Sequence, residues 1–277
     1  MRTPKYFFVF LFFILIHSQK SFSQCFYVES ILVDACSPNN PSNDEGFNEM
    51  VRFKVGSTAI NMTTTPLVVT WPNTTNSWLG LIQNSVTATK VATLNANIVS
   101  AGSCGVILEP INGILPANAE VILITSQNFS TASNSFATLT GTVYMLFQNN
   151  PSQTGGNFAN YNLVPGTRTL TMSFGASCTQ SVTYERSLLV NINGTYGGVI
   201  TDNDGATVNF SLTGTPSYIN NGCIAPIPPF LVNAGVSQTA CKGSTISLSG
   251  TAQGQQTVLW SAPSGTFSTP SNLIESV

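Results

Sequence analysis

From Cys25 onward the chain repeats one pattern, four to seven β-branched or aromatic residues and then a cluster of Gly, Pro, Asn or Ser, and nothing else in it limits the fold as strongly. "YVESILV", "MVRFKV", "PLVVTW", "GVILE", "EVILIT", "TVYMLFQ", "TLTMSF", "SLLVNI" and "VNFSL" each have strand length. Branched and ring side chains pack well on a pleated surface, and the residues between these runs supply turn chemistry. No segment of helical length shows a clean 3.6-residue period with caps. The pattern therefore predicts an all-β fold, an antiparallel β-sandwich whose two sheets bury their inner faces against each other. With 42% hydrophobic residues, the chain has the apolar content for a packed core that a disordered chain lacks.

The first residues read differently. "MRTPK" is followed by the apolar run "YFFVFLFFILI" from Tyr6 to Ile16 and a polar stretch ending in "SFSQ", the order of a secretory signal peptide. The run is too short to cross a bilayer, which takes about 20 residues. Ser21 and Ser23 supply the small residues of a cleavage site, so residues 1–23 are expected to be removed after export through the Sec pathway, with no transmembrane segment left. Arg2, Lys5 and Lys20 depart with the leader, leaving six of the nine basic residues against eleven acidic ones. Nucleic-acid binding relies on Lys and Arg to neutralise phosphates, and is not expected here. The single histidine, His17, is also lost. Without it, Ser-His-Asp and Cys-His nucleophiles, His-ligated zinc and His acid–base chemistry fall away.

All six cysteines, Cys25, Cys36, Cys104, Cys178, Cys223 and Cys241, follow the leader and none forms a CxxC pair. In an exported chain such wide spacing fits disulfides better than metal or redox chemistry. The pairing stays open, because six cysteines allow 15 connectivities.

Charge concentrates in "SNDEGFNEMVRFKV", Ser42 to Val55. Strand alternation puts Val51, Phe53 and Val55 on the core face and Met50, Arg52 and Lys54 on the other, with Glu49 on the inward parity at the start of the strand. A carboxylate there needs backbone donors or a cation, because an unpaired buried charge is expensive. Asp34, Asp44 and Glu45 come from neighbouring turns and could gather with Glu49 around calcium, the one ion the sequence suggests; no other cofactor is called for. The plainer reading is a solvated turn that hydrogen-bonds its own backbone. A carboxylate-dependent hydrolase using Glu49 with Asp34, Asp44 or Glu45 is the enzymatic alternative. Asp202 and Asp204 in "TDNDGATV" raise the same calcium question, against a tight Asp-Gly hairpin turn. Trp71 and Trp78 flank the polar loop "TWPNTTNSWLG": exposed, their rings would stack on sugars; buried, they are core plugs whose indole N–H finds a carbonyl.

"APIPPFLV", Ala225 to Val232, reads as a Pro-rich linker at 226–232 between a β-sandwich module at 24–225 and a second unit at 233–277. The second unit, "NAGVSQTACKGSTISLSG" followed by "VLWSAPSGTFSTPSN", is similar to the opening half of the Ig-like, PKD-like repeats of secreted Bacteroidota surface proteins. Cys241, Gly243 and Trp260 stand at that family's Cys-x-Gly turn and buried tryptophan. Sequence ends within the repeat, which implies the N-terminal piece of a longer protein, since an Ig sandwich takes about 100 residues. "ESILVDACSPNNPSNDEGFNEMVRFKVG" and "LPANAEVILITS" resemble the first module of gliding-motility-associated surface proteins exported by type IX secretion. Less closely they resemble lamin-tail-type Ig domains, with Asn48 to Val51 at the acidic strand start and Leu115-Pro116 at a later turn. The resemblance implies a non-catalytic cell-surface module for adhesion or display, with a glycan or protein ligand outside the cell. A carbohydrate-binding module built on Trp71 and Trp78 is the competing expectation.

Overall fold

The computed structural model of the chain describes residues 24–36, 45–152, 156–158, 160–197, 203–229 and parts of 231–276. Residues 1–23, read above as a signal peptide, lie outside the described residues, as do Asp44, Asp202 and Cys241.

In chain order the strands are β1 (Phe26–Leu32), β2 (Met50–Val55), β3 (Ile60–Asn61), β4 (Leu67–Thr70), β5 (Leu81–Ile82), β6 (Val106–Leu108) and β7 (Ile114–Leu115). They continue as β8 (Glu120–Ile124), β9 (Thr142–Gln148), β10 (Thr167–Phe174), β11 (Thr179–Glu185), β12 (Ala206–Phe210) and β13 (Pro216–Asn220). One helix, α1 (Ser85–Ser100), lies between β5 and β6. The central sheet runs β13-β12-β1-β2-β8-β9-β5, with β6 also on β9, and a second sheet runs β11-β10-β4. Most of the chain's regular structure is therefore β, as the repeated short runs predict. The ladders are antiparallel except β8–β9 and β6–β9, which are parallel, so the expectation of a purely antiparallel arrangement is corrected.

The two faces of the central sheet explain most of the sequence pattern. Val51, Phe53 and Val55 of β2 point into a core shared with Leu170, Met172 and Phe174 of β10 and with Val182 and Tyr184 of β11. Phe26, Phe53 and Phe174 meet there edge-on or tilted, with ring centroids 5.1–5.9 Å apart. The expected polar face of β2 is also covered. Met50 joins a second core with Ile122, Ile124, Met145 and Phe147, roofed by Leu94 and Ile98 of α1 and by Phe129 and Phe136. Arg52 is only 8% exposed. Strand β8 is the sign of this arrangement in the sequence: "EVILI" is apolar on both parities, as strands buried on both faces are.

Helix α1 overturns the expectation that no capped helix is present. Thr87, Val91, Leu94 and Ile98 are its buried residues, a stripe spaced four, three and four apart. Asn84 caps its start: Asn84 Oδ1 accepts from the Val86 and Thr87 backbone N–H groups, while Thr87 Oγ1 accepts from the Asn84 N–H. The β-branched content of "SVTATKVATLNANIVS" hides this stripe, and burial of its apolar face outweighs weak helix propensity.

Two disulfides close long loops: Cys25–Cys178 spans 153 residues and Cys36–Cys223 spans 187. They bracket β1, with Cys25 just before it and Cys36 shortly after it. Cys104 is exposed, and its Sγ donates to the Thr140 carbonyl at 3.5 Å. Beyond Cys223, Pro226 and Pro228 are buried, so the Pro-rich segment starts as a strap across the first module. Further on, β14 (Leu231–Asn233) pairs with β16 (Thr251–Gln253), and β15 (Ser247–Ser249) with β17 (Ile274–Ser276).

Candidate functional site

Of the acidic residues singled out in the sequence, the described ones, Asp34, Glu45, Glu49 and Asp204, gather at the end of the central sheet where β2 begins. Glu49 is 0% exposed. Its Oε2 accepts from the Asn157 backbone N–H at 2.7 Å and from Asn157 Nδ2 at 3.1 Å, and its Oε1 accepts from the Phe158 N–H at 3.1 Å. These are the backbone donors that its inward parity demands, delivered by a loop 108 residues away. The approach is so close that a Cβ on Gly156 would lie 2.8 Å from Glu49 Oε1. Burial pushes the Glu49 carboxyl well above its ordinary range and the Glu45 charge adds to this, while the three N–H donors pull the other way.

The same loop reaches the tryptophans. Asn73 and Asn76 both donate to the Gly156 carbonyl, at 2.8 and 3.0 Å. Trp71 is 1% exposed and donates from Nε1 to Gln148 Oε1 at 3.2 Å; Gln148 in turn donates to the Thr125 carbonyl at 2.7 Å. Thr125 Oγ1 closes the circuit on the Gly46 and Glu49 carbonyls at 2.8 and 3.1 Å. Trp71 therefore offers no ring face to a sugar, which corrects the stacking expectation for that residue. Trp78 is half-buried, 5.9 Å from Trp71 edge-on, and donates to the Leu67 carbonyl at 3.0 Å. Both indole N–H groups find an oxygen within the protein, and Trp71 alone is a fully buried plug.

Asp34, Glu45 and Asp204 form a second group beside this network. Burial, then the negative charges of Glu45 and Asp204, push the Asp34 carboxyl up to about 9, so it is protonated at neutral pH and hydrogen-bonds Glu45. Glu45 accepts from Asn160 Nδ2 at 2.9 and 3.2 Å. Burial also raises Asp204. Among the described residues, no three His, Cys, Asp or Glu side chains stand together in a way that could hold a metal ion. A hydrolase with Glu49 as one of its carboxylates would need it to reach a substrate; here both of its oxygens are occupied by the protein's own N–H groups.

Sequence reasoning missed a charged group on the opposite side of the sheet. Arg52 Nη1 lies 2.8 Å from Glu29 Oε2 and 3.9 Å from Glu120 Oε2, and Lys54 Nζ lies 3.0 Å from Glu120 Oε1. Register produces this cluster: Lys54 stands directly opposite Glu120, and a bulge between Val28 and Ser30 turns Glu29 toward Arg52. Burial pushes Glu29 up to about 7, against the opposing pull of Arg52 and with Glu120 adding to the rise. The signal available was the opposite-charge pair at matching strand positions, which is readable only once the strand order is known.

Comparison with family models, with curated proteins and with solved structures finds no match for this chain.

Proposed function

We propose that this chain is the exported, non-catalytic module of a large cell-surface protein and that it works in adhesion or display, where it must stay folded under tension. The sandwich formed by its two sheets is read as an Ig-like, lamin-tail-like variant, and the β-strands after residue 230 as the start of a following Ig-like repeat. The observation that carries the reading is the position of the Cys36–Cys223 bond. β13, the edge strand of the central sheet, immediately precedes Cys223. Without the bond, tension on the segment following Cys223 would peel β13 and then β12 from the edge. With it, tension passes into Cys36, at the end of β1 and between β12 and β2 in the sheet interior. Cys25–Cys178 ties the other end of β1 to the β10–β11 hairpin, cross-linking the two sheets. Disulfides persist in oxidising compartments, which is consistent with an extracellular domain. Among the described residues no helix is long and apolar enough to cross a membrane.

The test is a flow-detachment assay on cells displaying the full-length protein. Cells carrying Cys36→Ala with Cys223→Ala should settle and attach at rest like the parent but detach at lower shear. Unchanged attachment at every shear when the whole module is deleted would overturn the reading.

A further inference from the structure

A cavity of about 470 Å³ opens between the outer face of the central sheet and the Pro-rich strap. That volume falls within the roughly 300–1,000 Å³ of small-molecule sites. Its walls are mostly aliphatic, with Ile219 of β13 on one side and Ile224, Ile227 and Pro228 of the strap on the other, and Asn209 of β12 is also part of the lining. Ser30 and Arg52 also line it, while Thr138 and Asn221 are exposed at its mouth. The strap is held in place by the Cys36–Cys223 bond and by two backbone hydrogen bonds, Ser135 N–H to the Cys223 carbonyl at 2.8 Å and Ala225 N–H to the Ser135 carbonyl at 3.0 Å. The cavity is therefore built into the fold.

Ser30 and Arg52 sit opposite each other in the β1–β2 register and are 1% and 8% exposed. Ser30 Oγ has no hydrogen-bond partner among the described residues, and Arg52 Nε has none beyond the ion pairs that its guanidinium makes with Glu29 and Glu120. Buried donors without partners carry a desolvation cost that a bound acceptor removes. The charge of Arg52 is already balanced by Glu29 at 2.8 Å, with Glu120 at 3.9 Å. A ligand carboxylate placed on Arg52 would add negative charge beside two carboxyl groups that already crowd each other. An uncharged acceptor adds none.

We propose that this cavity binds a small uncharged molecule with an aliphatic body and a carbonyl or amide acceptor, the acceptor seated on Arg52 and the body between Ile219, Ile224 and Pro228. The site stands independently of the adhesion reading.

The test is an NMR titration of the purified chain that follows the Arg52 Nε–H resonance, with N-acetyl-leucine N-methylamide and cyclohexanecarboxamide as uncharged probes and N-acetyl-leucine as the charged counterpart. The amides should shift the resonance saturably, and the carboxylate should bind at least about tenfold more weakly, because its negative charge is set beside Glu29 and Glu120. Ile224→Trp and Thr138→Trp, which fill the cavity from different sides, should each abolish the shift while leaving the disulfides and the circular dichroism unchanged. No saturable shift with either amide, tighter binding of the carboxylate, or a shift that survives in both tryptophan variants would overturn the proposal.

Discussion

At position 34 a carboxyl is buried beside two others, and its protonation links the site to the stability of the fold. Folded Asp34 titrates at about 9 against an ordinary value of 3.8, and Glu29 at about 7 against 4.5. Both are raised, so the folded state binds protons that the unfolded chain releases above about pH 4. Their contribution is fully present below that pH and is lost as pH rises through the folded values. The midpoint of denaturant unfolding should therefore be highest at or below about pH 4 and fall toward pH 9, within the range set by those shifts. Asp34→Asn, which keeps a neutral hydrogen-bonding group beside Glu45, should flatten the fall between about pH 7 and 9. Stability that rises with pH, or a variant with the parent's profile, would contradict this. Part of the residue chemistry was legible beforehand: the parity of Glu49 called for backbone donors or a cation, and donors are there, but the plainer reading of a solvated turn is overturned, since Glu49 is fully buried and held by a distant loop. The identity of those donors was not, because Asn157 and Phe158 lie in a Gly- and Asn-rich loop with no local signal pointing to residue 49. Trp71 was ambiguous for the same reason, since its partner Gln148 is brought close only by the sheet.

Among the elements, most strands were readable and the helix was not; "SLLVNI", read as a strand, instead makes a 3-10 turn at Arg186–Leu188 and a single bridge from Val190 to Tyr196. Alternation in "MVRFKV" gave the correct inner face of β2, and "EVILI" carried the mark of a strand buried twice. α1 was lost because Thr and Val, with their stiff χ1, dominate its sequence and its cap uses Asn and Thr in place of the commoner Ser and Glu. What makes it a helix is tertiary: Val91, Leu94 and Ile98 each stabilise the second core by roughly 1.5–3 kcal/mol of apolar burial. Removing the cap with Asn84→Ala should cost about 1 kcal/mol, read as a shift in the unfolding midpoint with little change in its slope. No measurable shift would mean that packing alone fixes the helix start. The parallel pairing of β8 with β9 could not be read from the strands themselves, because register and direction depend on the crossover between them.

At the level of the whole molecule, the constraint is covalent. Wide spacing of the six cysteines favoured disulfides, but choosing among 15 pairings required the fold. Bonds at Cys25–Cys178 and Cys36–Cys223 leave the short stretch from 25 to 36 as the direct covalent route from Cys25 to Cys223. That stretch extends to about 40 Å, whereas the open chain from 25 to 223 would reach about 650–700 Å. Single-molecule pulling from the two ends of the chain measures this difference directly. With the disulfides intact, the region between Cys25 and Cys223 should lengthen by no more than about 40 Å, and a reductant should release the remaining several hundred ångströms. Full extension of the oxidised chain, to the same length as the reduced one, would contradict the claim that these two bonds hold the module together under tension.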